Sequence, residues 1–224
     1  MLEGLFDEPE IRVASAAIED RIDLLFPEEL ASIHRASAAR RAEFSTGRWL
    51  ARKILSELGC APVAIPRGRD RSPRWPGEWV GSITHSGRAC AAAVASASRY
   101  RGIGIDLEPD EAVKPGLERM ICFGDELDWV AAAGEGERGR RCRMVFSVKE
   151  AVYKAFHPHT GRVWRFADVA LEIDLASESF HARLPADAGT PAIEGRVLRR
   201  RGWITSGVAW ACAPPPDDSR GPDR

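Results

Sequence analysis

No apolar run in these 224 residues approaches the roughly 20 needed to cross a bilayer, so no membrane partner is expected. The opening residues, MLEGLFDEPE, lack the basic-then-apolar order of a secretory signal. The five cysteines (Cys60, Cys90, Cys122, Cys142, Cys212) are odd in number, scattered and without a C-x-x-C spacing. That pattern reads as the reduced, mostly buried thiols of a cytoplasmic protein, not as a disulfide or zinc framework. A DNA-binding motif and the interleaving of aromatic with basic residues are both missing, so no nucleic-acid partner is expected. Strong net charge is missing too, at −1, and the 44% hydrophobic and 29% charged content is that of an ordinary globular chain.

The charge that is present is unevenly spread. Residues 1–29 hold nine acidic and two basic side chains, a net of −7, whereas residues 35–74 hold ten basic and three acidic, a net of +7. A solvated helix face accounts for such a run as well as a site for an anionic ligand does, since clustered arginines concentrate phosphate.

The length suits one large domain or two small ones packed together. Pro27-Glu28-Glu29 opens a helical stretch, and a longer helix is expected from about Ser37 to Leu58, stopped by Gly59. Leu50, Ala51, Ile54 and Leu58 share one arc of it, with Arg41, Arg48 and Arg52 on a neighbouring arc, their stems packed and heads wet. The segment PRGRDRSPRWPG (66–77) is too polar and proline-rich for regular structure. Short strands follow at Trp79–Thr84, Ala89–Ala97 and Gly102–Leu107. Residues 109–139 read as two or three short helices with glycine-rich joints, then a helix over Ser147–Phe156 halted by His157-Pro158. Period-2 patterns over 169–175, 180–184, 193–197 and within 202–213 predict four antiparallel strands. The tail, 214–224, is expected to be disordered, and no internal repeat stands out.

Three blocks could carry chemistry. In Gly102-Ile-Gly-Ile-Asp106-Leu-Glu108 a buried strand ends in two carboxylates two residues apart, leaving the same face. They repel unless a cation lies between them, and hard oxygens suit Mg²⁺; a merely solvated acidic strand end is the alternative. In FSVKEAVYKAF (146–156) Glu150 and Lys154 stand four apart on one helix face, as an ordinary ion pair worth about 0.2–0.5 kcal/mol or as a metal ligand and a phosphate contact. In Gly81-Ser-Ile-Thr84-His85-Ser-Gly87 a strand runs into a turn that could present an imidazole and backbone N–H groups to a phosphate.

In order and approximate spacing, WPGEWVGSITHSG, GIGIDLEP and FSVKEAVYKAF resemble the signature of Sfp/EntD-type 4'-phosphopantetheinyl transferases. FSTGRWLAR resembles the basic helix that precedes them in the EntD-like branch. The resemblance covers residues 40–156. It implies an α+β fold of two similar helix-plus-antiparallel-sheet halves about a pseudo-twofold axis, here 1–109 and 110–213, with coenzyme A in the cleft. It implies that Asp106, Glu108 and Glu150 hold Mg²⁺, and that His85, the backbone near Thr84, Arg48 and Arg52 meet the 3'-phosphate of coenzyme A. Lys154 would hold the pyrophosphate, Lys149 matches the motif, and Arg71 is favoured among the loop arginines Arg67, Arg69, Arg71 and Arg74. The implied reaction is attack by a serine hydroxyl of an apo acyl, polyketide or peptidyl carrier protein on the β-phosphate of coenzyme A, releasing 3',5'-ADP. Glu150 is the candidate base, with another carboxylate or water as its rival. This length resembles the monomeric type that serves several carriers, including those of secondary-metabolite and siderophore synthesis. A metal-dependent phosphodiester hydrolase built on Asp106, Glu108 and Glu150 is the rival enzyme, and a non-catalytic coenzyme A-binding module the rival without chemistry.

Overall fold

The computed structural model describes residues 1–213, so the expected disordered tail lies outside the described residues. Strands β1 (Arg12–Ala17), β2 (Trp79–Ser86) and β3 (Ala89–Ser96) form an antiparallel sheet in the order β1-β3-β2. Strands β4 (Tyr100–Pro109), β5 (Ala170–Asp174), β6 (Ser179–Arg183), β7 (Ala192–Arg200) and β8 (Trp203–Ala211) form a second, in the order β4-β8-β7-β6-β5. Every pairing in it is antiparallel, as the alternating apolar pattern predicts.

Among the described residues five α-helices accompany them: α1 (Pro27–Leu30), α2 (Ala38–Glu57), α3 (Glu118–Ile121), α4 (Asp125–Ala131) and α5 (Glu135–Thr160). Ser37 caps α2 by accepting the Arg40 N–H at 3.3 Å, and Gly59, at φ +84°, lets the chain turn away after it. Leu50, Ala51, Ile54 and Leu55 of α2 pack on Cys90, Ala92 and Val94 of β3. The small residues of β3 are buried on both faces, because β4 and the N-terminal segment lie on its other side.

Helix α5 is far longer than expected, and Pro158 lies inside it. Cys142, Val145, Val148 and Val152 bury one face against the second sheet, and that packing outweighs the glycines at 136 and 139. Pro158 is tolerated because it falls in the last turn, where Phe156 stacks on Trp210 at 4.4 Å, and the helix ends instead at Gly161, at φ +62°.

Gly102 and Gly104 of β4 lie directly under α5. A methyl group at either would overlap the carbonyl of Ala155 or Ala151. Glycine there lets helix and strand meet backbone to backbone, and the two-residue period puts Asp106 and Glu108 on the same face. The edges of the two sheets also meet, since Ser82 Oγ on β2 accepts the Ile105 N–H of β4 at 3.1 Å. The 109/110 division therefore follows a strand that is hydrogen-bonded to β8 of the second half and leans on β2 of the first.

The two halves repeat one device. Glu29 accepts the Phe26 and Ile65 N–H groups and Arg52, which also donates to the Leu24 carbonyl. Glu126 accepts the Phe123 and Leu171 N–H groups and Lys149, which also donates to the Ile121 carbonyl. The sequence trace of this repeat is F-P-E-E-L (26–30) against F-G-D-E-L (123–127), too short to stand out alone.

Candidate active site

Strand β2, strand β4 and helix α5 deliver one residue each to a single cluster. Lys154 Nζ donates to Asp106 Oδ1 at 2.6 Å, to Thr84 Oγ1 at 3.2 Å and to the Ile105 carbonyl at 3.2 Å. Thr84 in turn donates to Asp106 Oδ1 at 3.1 Å. Lys154 thus joins the carboxylate of the other motif, and no ion pair links it to Glu150, its neighbour one helical turn back. The reason is the glycine-floored contact between β4 and α5, which brings the lysine over the strand end.

Asp106 is buried, and its second oxygen, Oδ2, is buried with no hydrogen-bond partner. Such an atom is costly unless something outside the chain completes it. Glu108 accepts from Arg143 Nη1 at 2.6 Å. Burial and the Asp106 charge raise its carboxyl above the ordinary value, against the hydrogen bond from Arg143. Burial raises the Glu150 carboxyl as well; Lys154 opposes this, and the Asp106 and Glu108 charges add to it. The Asp106 charge thus disfavours ionisation of both Glu108 and Glu150, and hard carboxylate oxygens of this kind are the donors a divalent cation takes. Among the described residues no three acidic, histidine or cysteine side chains converge into a ready-made metal cluster. A hard cation that binds through carboxylate oxygens and completes its shell with phosphate and water fits this donor chemistry.

Beside this cluster lies a basic one. Arg40 Nη1 donates to His85 Nε2 at 2.7 Å, and Glu43 stands 3.6 Å from the same nitrogen. Burial lowers the His85 pKa; Glu43 opposes this, and Arg40 and Lys154 lower it further. Burial lowers Arg67 likewise, and the charges of Arg71 and Arg40 add to it. Arg71 sits in the left-handed region, at φ 72°, in a turn closed by the bond from Gly68 N–H to the Ser72 carbonyl at 2.8 Å.

The chain matches the model of the 4'-phosphopantetheinyl transferase N-terminal domain over residues 27–95 and that of the 4'-phosphopantetheinyl transferase superfamily over residues 102–198. It is 37% identical to 4'-phosphopantetheinyl transferase Svp of Streptomyces mobaraensis over 206 residues, covering 87% of this chain and 82% of that protein. It is 34% identical to 4'-phosphopantetheinyl transferase Npt of Nocardia iowensis over 220 residues, 89% of this chain and 98% of that protein. Enterobactin synthase component D of Escherichia coli is 32% identical over 143 residues, 59% of this chain and 63% of that protein. The chain belongs to the 4'-phosphopantetheinyl transferase superfamily.

The remaining expected residues of this transferase are placed less simply. Arg48 does not keep its head in water: it is buried, stacks on Phe44 at 4.3 Å and donates through Nε to the Ile65 carbonyl at 2.6 Å. Burial lowers its pKa to about 10; Glu29 opposes this, and Arg40 and Arg52 add to it. Among the described residues Arg48 forms no ion pair, leaving a buried cation suited to an anion. Arg52 is held by Glu29 and the Leu24 carbonyl, and Lys149 spends its ammonium on Glu126 at 2.7 Å, Phe166 O at 2.7 Å and Ile121 O at 3.1 Å. These two are the paired internal ties of the repeat, not neighbours of Asp106. Arg40, Arg143 and Glu126 are not singled out from sequence; the F-x-x-E-L echo is a signal that could have marked the last of them. Among the described residues no helix is long and apolar enough to cross a membrane.

Proposed function

We propose that this transferase moves the 4'-phosphopantetheine arm of coenzyme A onto a serine of an apo carrier protein, as a monomer, with Mg²⁺ held by Asp106, Glu108 and Glu150. The observation that carries the reading is Asp106 itself, one oxygen on Lys154 and the other buried without a partner. A cation held by these carboxylates would supply Lewis acidity at the pyrophosphate.

The chain's own residues do the rest. Lys154 places fixed positive charge at the pyrophosphate, where the leaving oxygen becomes more negative. His85, Arg40, Arg48 and the loop arginines Arg67 and Arg71 form the basic pocket for the 3'-phosphate; Arg40 joins the set expected from sequence. Arg52 and Lys149 support the walls. Glu150 accepts the serine proton, and its raised carboxyl pKa brings it closer to that role than an ordinary carboxylate. Beside Glu150 an apolar cavity of about 460 Å³, walled by Met120, Phe123, Tyr153 and Trp164, suits the amide-and-methylene arm. Its rim residues Met120 and Val163 are 66% and 77% exposed, an apolar landing for a carrier helix.

The test is to incubate the protein with an apo acyl or peptidyl carrier, coenzyme A and Mg²⁺ and weigh the intact carrier. A phosphopantetheine adduct that disappears with chelator is expected. Cleavage of coenzyme A without an adduct would move the reading to a hydrolase, and binding alone to a non-catalytic module.

A further inference from the structure

Two thiols meet in the second half, away from the carboxylate cluster. Cys122 ends α3 and Cys142 lies in α5; both are buried, and the Cys122 Sγ–H donates to Cys142 Sγ at 3.6 Å. The other cysteines, Cys60, Cys90 and Cys212, have no sulfur partner among the described residues. We propose that Cys122 and Cys142 are an oxidisable pair, a modification site whose disulfide restrains the transfer reaction proposed above.

The position of the pair carries the argument. Cys142 precedes Lys149 by about two turns on the same face of α5. Cys122 stands between Ile121, whose carbonyl takes a Lys149 N–H at 3.1 Å, and Phe123, whose N–H goes to Glu126 at 2.9 Å. A disulfide requires the sulfurs to close from 3.6 Å to about 2.0 Å, which pulls Cys122 toward α5. The Lys149–Glu126 tie, made at 2.7 Å, is carried by residues that flank both cysteines and takes up the strain of that movement. Lys149 adjoins Glu150, and Met120 and Phe123 wall the cavity beside it. Displacement by about 1 Å of groups that position reacting atoms is enough to cost large factors in rate.

The chemistry balances with hydrogen peroxide as the oxidant. The hydrogen bond from Cys122 lowers the Cys142 pKa, against burial, and raises that of Cys122, so the thiolate forms on Cys142. That sulfur attacks one peroxide oxygen, the O–O bond breaks, and the hydroxide released takes a proton and leaves as water. The sulfur of Cys122 then displaces hydroxide from the sulfenic acid, and its own proton completes the second water. Two thiols lose two electrons, and one peroxide becomes two waters. Both sulfurs are buried, so access requires local opening of the short α3 turn, which carries the exposed Met120 at 66% and precedes Phe123 at 38%.

The test uses the full chain under native conditions. The protein is treated with hydrogen peroxide, unreacted thiols are alkylated, and intact mass and peptide mapping are read. Loss of two hydrogens with a Cys122–Cys142 peptide is expected, together with a fall in carrier modification of at least about tenfold that dithiothreitol reverses. Cys142→Ala and Cys122→Ala are prepared in parallel, each checked for folding by its melting curve, and either should keep its transfer rate under peroxide. Failure of the pair to link while Cys60 or Cys212 oxidises would overturn the proposal, as would a mapped disulfide that leaves transfer unchanged. If the reduced protein shows no transfer at all, the reading of the function fails, and the mapping separately decides whether the pair links.

Discussion

Glu108 and Glu150 hold positions that lower the stability of the metal-free protein at neutral pH. The raised carboxyls of Glu108 and Glu150 bind protons more readily folded than unfolded, so their stabilising contribution is full below the ordinary carboxylate value of about 4.3. It is lost as pH rises through their raised values. Glu150→Gln should therefore melt a few degrees higher than wild type without metal at pH 7, with the gap closing toward pH 4, while transfer is abolished. Melting curves at several pH values with chelator, beside initial rates, check this; a variant that is less stable at pH 7 sinks it. Lys154→Ala should behave oppositely. It strands the Asp106 carboxylate, costing about 2–4 kcal/mol, and lowers kcat by about 10²–10³ with a much smaller change in the KM for coenzyme A. Lys154→Arg should restore stability more than rate, because a planar guanidinium does not reproduce a point charge. Unchanged kcat in the alanine variant would confine Lys154 to structure.

Among the elements, the decisive contact is α5 on β4. Gly104→Ala sets a methyl group against the Ala151 carbonyl, backbone against backbone, where no side chain can swing aside. A loss of about 3 kcal/mol or more, with transfer falling even at temperatures where the variant is folded, is the expected result of denaturant titration and rate assays. Lys149→Met tests the neighbouring tie. It leaves Glu126 as a buried, unpaired charge and should cost about 3–5 kcal/mol while the Kd for coenzyme A, measured by calorimetry on folded protein, stays within about twofold. A large rise in that Kd would return Lys149 to the phosphate. The strands of the second sheet were readable because alternation reports one buried face, and β4 was readable by its motif. The start of α5 was not: Gly136 and Gly139 resemble loop joints, and that stretch is helical as the exposed or half-buried extension of turns buried from Cys142 onward.

At the scale of the molecule the two halves share a tie but not a site. By the constant offset that relates Arg52 to Lys149 and Glu29 to Glu126, Lys53 stands where Glu150 does and Glu57 where Lys154 does. The first half therefore cannot rebuild the carboxylate cluster and is left to hold the basic pocket. Dephospho-coenzyme A, which lacks the 3'-phosphate, should bind at least about tenfold more weakly than coenzyme A at low salt, and the ratio should shrink as salt screens the exposed arginines. Equal affinities in a direct titration would remove Arg40, Arg48 and His85 from the ligand.

Pattern alone determined the antiparallel strands of the last third and the three motifs, because each is written within a few consecutive residues, and the α+β class followed from the resemblance those motifs carry. Spacing alone also placed Asp106 and Glu108 on one face. Which groups meet across the molecule was decided by tertiary structure. Lys154 bonds Asp106 instead of Glu150, since two glycines let a helix rest on a strand's backbone. Arg48 is buried as an unpaired cation while Arg52, one turn on, is consumed by Glu29. Residue type and helical phase are the same for both arginines. Their difference arises from what the rest of the chain packs against each head, and that is a property of the folded whole.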